Sequence, residues 1–160
     1  MRPRSALPST PTRMSSLATI GYEGATVDGL LDALREAGVE LLVDVRAVAS
    51  SRRAGFAKTR LAANLAGAGI AYLHLRGLGT PAEGRAAARA GRHEEMHRIF
   101  HEHMETLEAQ EQLLALAEIV RSGRRACLLC LEADPAHCHR TLVAQALQEL
   151  VPVKVVDLMV

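Results

Sequence analysis

The chain has 160 residues, 49% of them hydrophobic but only 2% aromatic, with no Trp and a formal net charge of +1. That balance favours one folded domain with an aliphatic core and argues against disorder over most of the length. It excludes a ring-stacking platform for single-stranded nucleic acid, and a global basic field that would draw the protein onto DNA, leaving only a local basic stripe.

Three cysteines, an odd number, do not make a disulfide framework. No apolar run approaches the ~20 residues needed to span a bilayer, so no membrane partner is expected. The early arginines Arg2 and Arg4 are not followed by an apolar stretch, which removes a secretory signal. The expectation is a cytoplasmic protein with reduced thiols.

Residues 1–16 are rich in Pro, Ser, Thr and Arg without periodicity and read as a mobile tail ahead of a domain over 17–160. Leu17 to Ile20 reads as a first strand, closed by Gly21. Thr26 caps a helix whose Val27, Leu30, Leu31 and Leu34 share one face, and Gly38 ends it. Val39 to Val45 is almost continuously apolar, the pattern of a strand buried on both faces. A second helix runs from about Lys58 to Gly69, followed by a third strand from Ile70 to Leu75. Gly77, Gly79, Pro81 and Gly84 mark a loop. A helical stripe then extends over about 86–121, with room for one or two breaks. Ala126 to Leu131 is the fourth strand, a helix opens near Cys138 or His139, and Val153 to Leu158 is the fifth strand. Strands alternating with helices imply an α/β fold of three layers around a mostly parallel sheet of about five strands.

Such sheets bind ligands outside the carboxyl ends of their strands. Those ends deliver Tyr22 and Glu23, then Asp44 and Arg46, then His74, then Cys130 and Glu132. Asp44 and Arg46 lie two apart and so share a face. They read either as a pair tying loops together, or as an anion-binding guanidinium with a carboxylate that orients it or acts as a base. Ser50, Ser51, Arg52 and Arg53 follow, suited to a phosphate or carboxylate, or simply to a solvated loop. Gly79 allows close backbone approach to a ligand, or belongs to a plain turn.

The segment CLEADPAHCHR, Cys130 to Arg140, is the most distinctive. Cys138 stands where a helix begins, a place that favours a thiolate, with His139 as a base and Arg140 as an anion clamp. Cys130 approaches it across the loop as nucleophile or ligand, or is simply a small buried residue. Cys127 and Cys130 spell C-x-x-C, but three residues apart on a strand they face opposite sides. His93 to His97 matches H-E-x-x-H and His101 extends the row, yet the metzincin continuation is missing. His93, His97 and His101 are candidate metal ligands; no cofactor is required by the sequence.

In order, TIGYEG, LLVDVR, GF, GAGIAYLHLRGLGTP and CLLCLEADPAHCHR resemble the domain of unknown function 488 family, over about Thr19 to Leu150. Carried across by position, the resemblance implicates Gly21, Asp44, Arg46, Ser50, Arg52, Phe56, Gly69, Leu78, Gly79, Cys130, Glu132, Cys138, His139 and Arg140. Ala49 and Ala54 stand where the family often has proline, and both loosen the loop after the second strand. The resemblance supplies no reaction. Three readings remain: an enzyme acting on an anionic small molecule or nucleotide, a nucleotide or nucleic-acid binding module without chemistry, and a metal hydrolase using HEEMH or Glu23, Asp44 and Glu132.

Overall fold

A computed structural model of the protein describes residues 15–160. The tail expected over 1–16 therefore lies outside the described residues, except that Ser15 and Ser16 open the first strand, paired with Val153 and Lys154. Hydrogen bonding to a neighbouring strand, not apolarity, carries that strand two residues further back than its hydrophobic run.

Among the described residues the elements in chain order are β1 (Ser15–Gly21), α1 (Val27–Glu36), β2 (Leu41–Asp44), α2 (Lys58–Gly67), β3 (Ala71–His74), α3 (Ala82–Arg89), α4 (His93–Met104), α5 (Leu107–Arg121), β4 (Ala126–Cys130), α6 (His139–Gln148) and β5 (Val153–Leu158). The helical stripe over 86–121 is three helices. It breaks at Gly91, where φ is 78°, and again where the Thr106 hydroxyl accepts from Ala109 N to start α5. Thr26 caps α1 as its sequence implies, accepting from Gly29 N at 3.0 Å.

All five strands are parallel, in the order β3-β2-β4-β1-β5. From β1 the chain steps one way, through α1 to β2 and α2 to β3; it then steps back to β4 and on to β5. The reversal divides the helices between the faces. α1 and α2 bury Leu30, Leu34, Leu61 and Leu65 against Ile20, Leu42 and Leu129. α3 to α6 bury Ala87, Phe100, Leu116 and Val143 against Leu17, Val43 and Leu128. Here α/β means helices on both sides of a parallel sheet, whose crevice opens where chain direction switches. The carboxyl ends of β1, β2 and β4 are adjacent there. No described helix is long and apolar enough to cross a membrane.

Candidate functional site

β2 ends with Asp44, fully buried, and is followed by Val45 and Arg46, 5% exposed. A carboxylate in so dry a place needs compensation. Oδ1 accepts from Arg46 N at 3.1 Å and Arg46 Nε at 2.8 Å, and Oδ2 accepts from Arg46 Nη2 at 2.7 Å and the Tyr72 hydroxyl at 2.5 Å. The remaining Arg46 nitrogen, Nη1, donates to Phe56 O at 2.8 Å and to the Tyr22 hydroxyl at 3.2 Å. Tyr22 in turn stacks on Phe56 with ring centroids 4.6 Å apart. Burial alone would lower the Arg46 pKa, but Asp44 outweighs it and the guanidinium is held more firmly charged than usual. Burial, then Asp44, pushes the Tyr72 phenol up. Of the two readings of the Asp44–Arg46 pair, the geometry is that of the tie.

On the other face of the sheet, β4 ends with Cys130, and α6 begins with His139 after an extended Cys138 (φ −122°, ψ 139°). His139 Nε2 lies 2.7 Å from Val45 O, a group that can only accept. The ring therefore donates from Nε2 and, when neutral, presents Nδ1 as an acceptor. Nδ1 lies 3.3 Å from Cys130 Sγ, and that sulfur is also 3.5 Å from Glu132 Oε2. A buried thiol thus meets an imidazole fixed in the tautomer that can take its proton. Burial alone pulls His139 down, but Cys138, the Val45 carbonyl and Glu132 outweigh it and the net direction is up. The Cys138 thiol is pushed well above its ordinary range, by burial first and then by Cys130.

These side chains open on a cavity of about 190 Å³ lined by Tyr22, Arg46, Ser50, Arg85, Arg89, Cys130, Glu132 and His139, among others. That is below the roughly 300–1,000 Å³ of a drug-sized pocket, and suits a small molecule or the head group of a larger one. Arg85 and Arg89 stand one turn apart on α3, facing the same cavity. Among the described residues neither is in a salt bridge, although Arg85 Nη1 donates to Thr80 O at 2.9 Å. Sequence reasoning passed over both. The signal it could have used is an i, i+4 arginine pair directly after a glycine-rich loop at a strand's carboxyl end.

Other expected site residues are placed differently. Arg140 faces the interior, not the cavity. Fully buried, it donates from Nε to Thr19 Oγ1 at 3.2 Å, from Nη1 to Glu132 O, and from Nη2 to Ala133 O at 3.2 Å. Gly21 makes room for this tie, since a Cβ there would lie 1.8 Å from Glu132 O. Cys138, expected as the thiolate, points into the core beneath the cavity and does not line it. His74 donates from Nε2 to Arg46 O at 2.7 Å and braces the backbone behind the cavity wall. Gly79 permits a close approach, but to its own chain: a Cβ would sit 2.2 Å from Ala47 N. Arg52 is exposed on the outer loop and does not line the cavity. Glu23 is exposed and accepts from Ala133 N at 3.4 Å, beside the cavity and not within it.

Among the described residues, one group of three acidic, thiol or imidazole side chains converges as metal ligands do, with donor atoms within 4.8 Å of one another: Cys130, Cys138 and His139. The bond from His139 to a carbonyl is the kind that orients a metal-binding imidazole. The metal readings through HEEMH and through Glu23, Asp44 and Glu132 are not supported, because neither set converges. His93 instead pairs with His137, Nε2 to Nδ1 at 3.1 Å, while His97 and His101 follow along α4 without joining it. Cys127 lies on the opposite face from Cys130, its thiol pushed up by complete burial.

Residues 26–147 match the model of one protein family, described as domain of unknown function DUF488. No curated protein and no solved structure matches the chain.

Proposed function

The chain belongs to the DUF488 family, and from its rim geometry we propose a thiol-dependent hydrolase or group transferase acting on a small anionic, phosphate- or nucleotide-containing substrate. The observation that carries this reading is Cys130 Sγ at 3.3 Å from His139 Nδ1, with the ring locked by Val45 O, at the edge of a cavity flanked by Arg85 and Arg89.

Arg85 and Arg89 attract the anionic group, with Ser50 as a further hydrogen-bond partner on the same wall. Cys130 attacks the electrophilic atom, and His139 Nδ1 accepts the thiol proton and then returns it to the leaving group. The Val45 carbonyl stabilises the imidazolium formed in between. Glu132, beside the same sulfur, is suited to activating the water or acceptor that releases the covalent intermediate. Asp44 and Arg46 hold the wall against which this occurs.

Alkylation tests the reading without knowledge of the substrate. At about pH 6.5, where a free thiol of pKa ~8.5 is about 1% ionised, Cys130 is expected to alkylate at least tenfold faster than free cysteine. Anionic iodoacetate is expected to gain over neutral iodoacetamide, relative to the same ratio for free cysteine. The combined Arg85→Ala and Arg89→Ala variant removes that gain. A Cys130 rate no greater than that of free cysteine ends the nucleophile reading. Stoichiometric zinc that resists chelation, with Cys130 unreactive until it is stripped, replaces it with a metal site on Cys130, Cys138 and His139. A binding module without chemistry predicts that Cys130→Ser preserves nucleotide affinity and that Cys130 is unreactive in the wild type.

A further inference from the structure

We infer that Cys138 is a resolving thiol: a hydroperoxide entering the cavity oxidises Cys130, and Cys138 then closes a reversible disulfide with it, switching the site off. This deepens the reading of Cys130 as the reactive thiol and rests on it.

Three observations support the pairing. The two sulfurs lie within 4.8 Å of each other and both are free thiols. Cys130 reaches the cavity and Cys138 sits directly behind it in the core, so an oxidant meets the first and not the second. The segment joining them, 131–137, is pinned at several points. Arg140 holds the Glu132 and Ala133 carbonyls, Asp134 Oδ1 accepts from Ala136 N at 2.9 Å, and the Thr141 hydroxyl donates to Pro135 O at 2.6 Å. Holding both ends of a short loop keeps the second thiol at high effective concentration near the first. The proposed catalytic scheme uses Cys130 alone and leaves this buried neighbour without a role.

The steps balance. His139 Nδ1 takes the Cys130 proton, and the thiolate attacks the terminal oxygen of the hydroperoxide. The O–O bond breaks, and the departing alkoxide takes the proton from His139 and leaves as an alcohol. Cys130 is now a sulfenic acid. Cys138 sulfur attacks Cys130 sulfur, the S–O bond breaks, and hydroxide leaves with the Cys138 proton as water. Two thiols are oxidised by two electrons and one hydroperoxide is reduced. An external dithiol restores both thiols. Cys127, in the opposite core, has no access to either sulfur and stays reduced.

The test treats the full-length chain with a few equivalents of hydrogen peroxide and reads intact mass, peptide mapping and Cys130 alkylation. The expected product has lost two hydrogens, joins Cys130 to Cys138, alkylates at Cys130 at least tenfold more slowly, and recovers with dithiothreitol. Cys138→Ser should instead gain two or three oxygens at Cys130, and these persist through reduction. The wild-type mass shift decides the matter even where that variant folds poorly. Irreversible oxygen addition at Cys130 in the wild type, with normal alkylation beforehand, overturns the resolving role and leaves the nucleophile intact. Failure of reduced Cys130 to alkylate at all overturns the underlying reading instead.

Discussion

Replacing Asp44 by Asn tests whether this carboxylate is a structural tie or a base. Asp44 has no exposure, and each of its oxygens already accepts two hydrogen bonds. The substitution removes the charge opposite Arg46 and turns an amide NH2 toward groups that themselves donate. Removing one partner of a buried ion pair costs about 3–5 kcal/mol, a large part of the ~5–15 kcal/mol that holds a domain folded. For a chain of this size that corresponds to a fall of roughly 6–20 °C in Tm. Urea denaturation and thermal unfolding of wild type, Asp44→Asn, Arg46→Met and the double variant measure it. Each single variant is expected to lose several kcal/mol, and the double variant less than the sum, with a coupling of at least about 2 kcal/mol. Cys130 alkylation in folded Asp44→Asn should keep the wild-type pH profile. A loss below about 1 kcal/mol would refute the tie, because a buried carboxylate with four donors cannot be removed that cheaply. A changed alkylation profile with unchanged stability would return Asp44 to the proton chemistry.

Three further outcomes follow from the same geometry. Gly79→Ala pushes a methyl into the Ala47 backbone and should displace the loop leading to α3, losing about 2–4 kcal/mol and the iodoacetate gain together; retention of both would show the approach to be dispensable. Gly21→Ala should be worse, since its Cβ meets the Glu132 carbonyl and Arg140, and soluble protein with wild-type Tm would contradict the packing. His139 sits above its ordinary range near 6.5, so the imidazolium stabilises the fold at low pH and that contribution fades as pH rises through the raised value. The stability advantage of wild type over His139→Asn in urea should therefore be largest below about pH 6.5 and shrink above it; an advantage that grows with pH would reverse the assignment.

Features encoded by near neighbours were legible in the sequence. β5 was readable to the residue because Val153 to Leu158 is a valine-rich segment, interrupted by Lys154 and Asp157 and bounded by Pro152, and α1 because Thr26 and Gly38 bracket it. The convergence of strand ends was legible from the βα alternation alone, which places Tyr22, Arg46, Cys130 and Glu132 along one rim. Contacts fixed by distant chain were not. A position at a helix start favours Cys138 as a thiolate, but an N-cap residue in extended conformation sends its side chain where the neighbouring packing decides, here the core under α4 to α6. His139 Nδ1 meets Cys130 only because Val45, 94 residues earlier, captures Nε2. Arg85 and Arg89 line the cavity, and their i, i+4 spacing was readable, but the close approach of Gly79 to Ala47 in the loop ahead of α3 is a contact between distant residues. HEEMH matched a zinc spacing while its convergence depended on a third ligand the fold does not bring near.

The arginines make the same point about function. Arg46 and Arg140 looked like anion clamps because each follows a chemistry-bearing residue at a strand or helix end. Both are nearly inaccessible and satisfied from within, one by Asp44 and one by backbone carbonyls. A guanidinium that already has its acceptors gains little from a substrate anion, and breaking its bonds would cost the fold. The arginines able to gain are those facing the cavity with no ion-pair partner among the described residues, Arg85 and Arg89. Burial thus divides one residue type around a single cavity: the enclosed pair is bound within the fold, and the open pair faces the cavity, where the proposed function has it set the charge of what can enter. Substituting an enclosed arginine should move Tm first, and substituting an open one should move the iodoacetate preference first. Arg140→Met abolishing that preference at unchanged Tm would overturn the division.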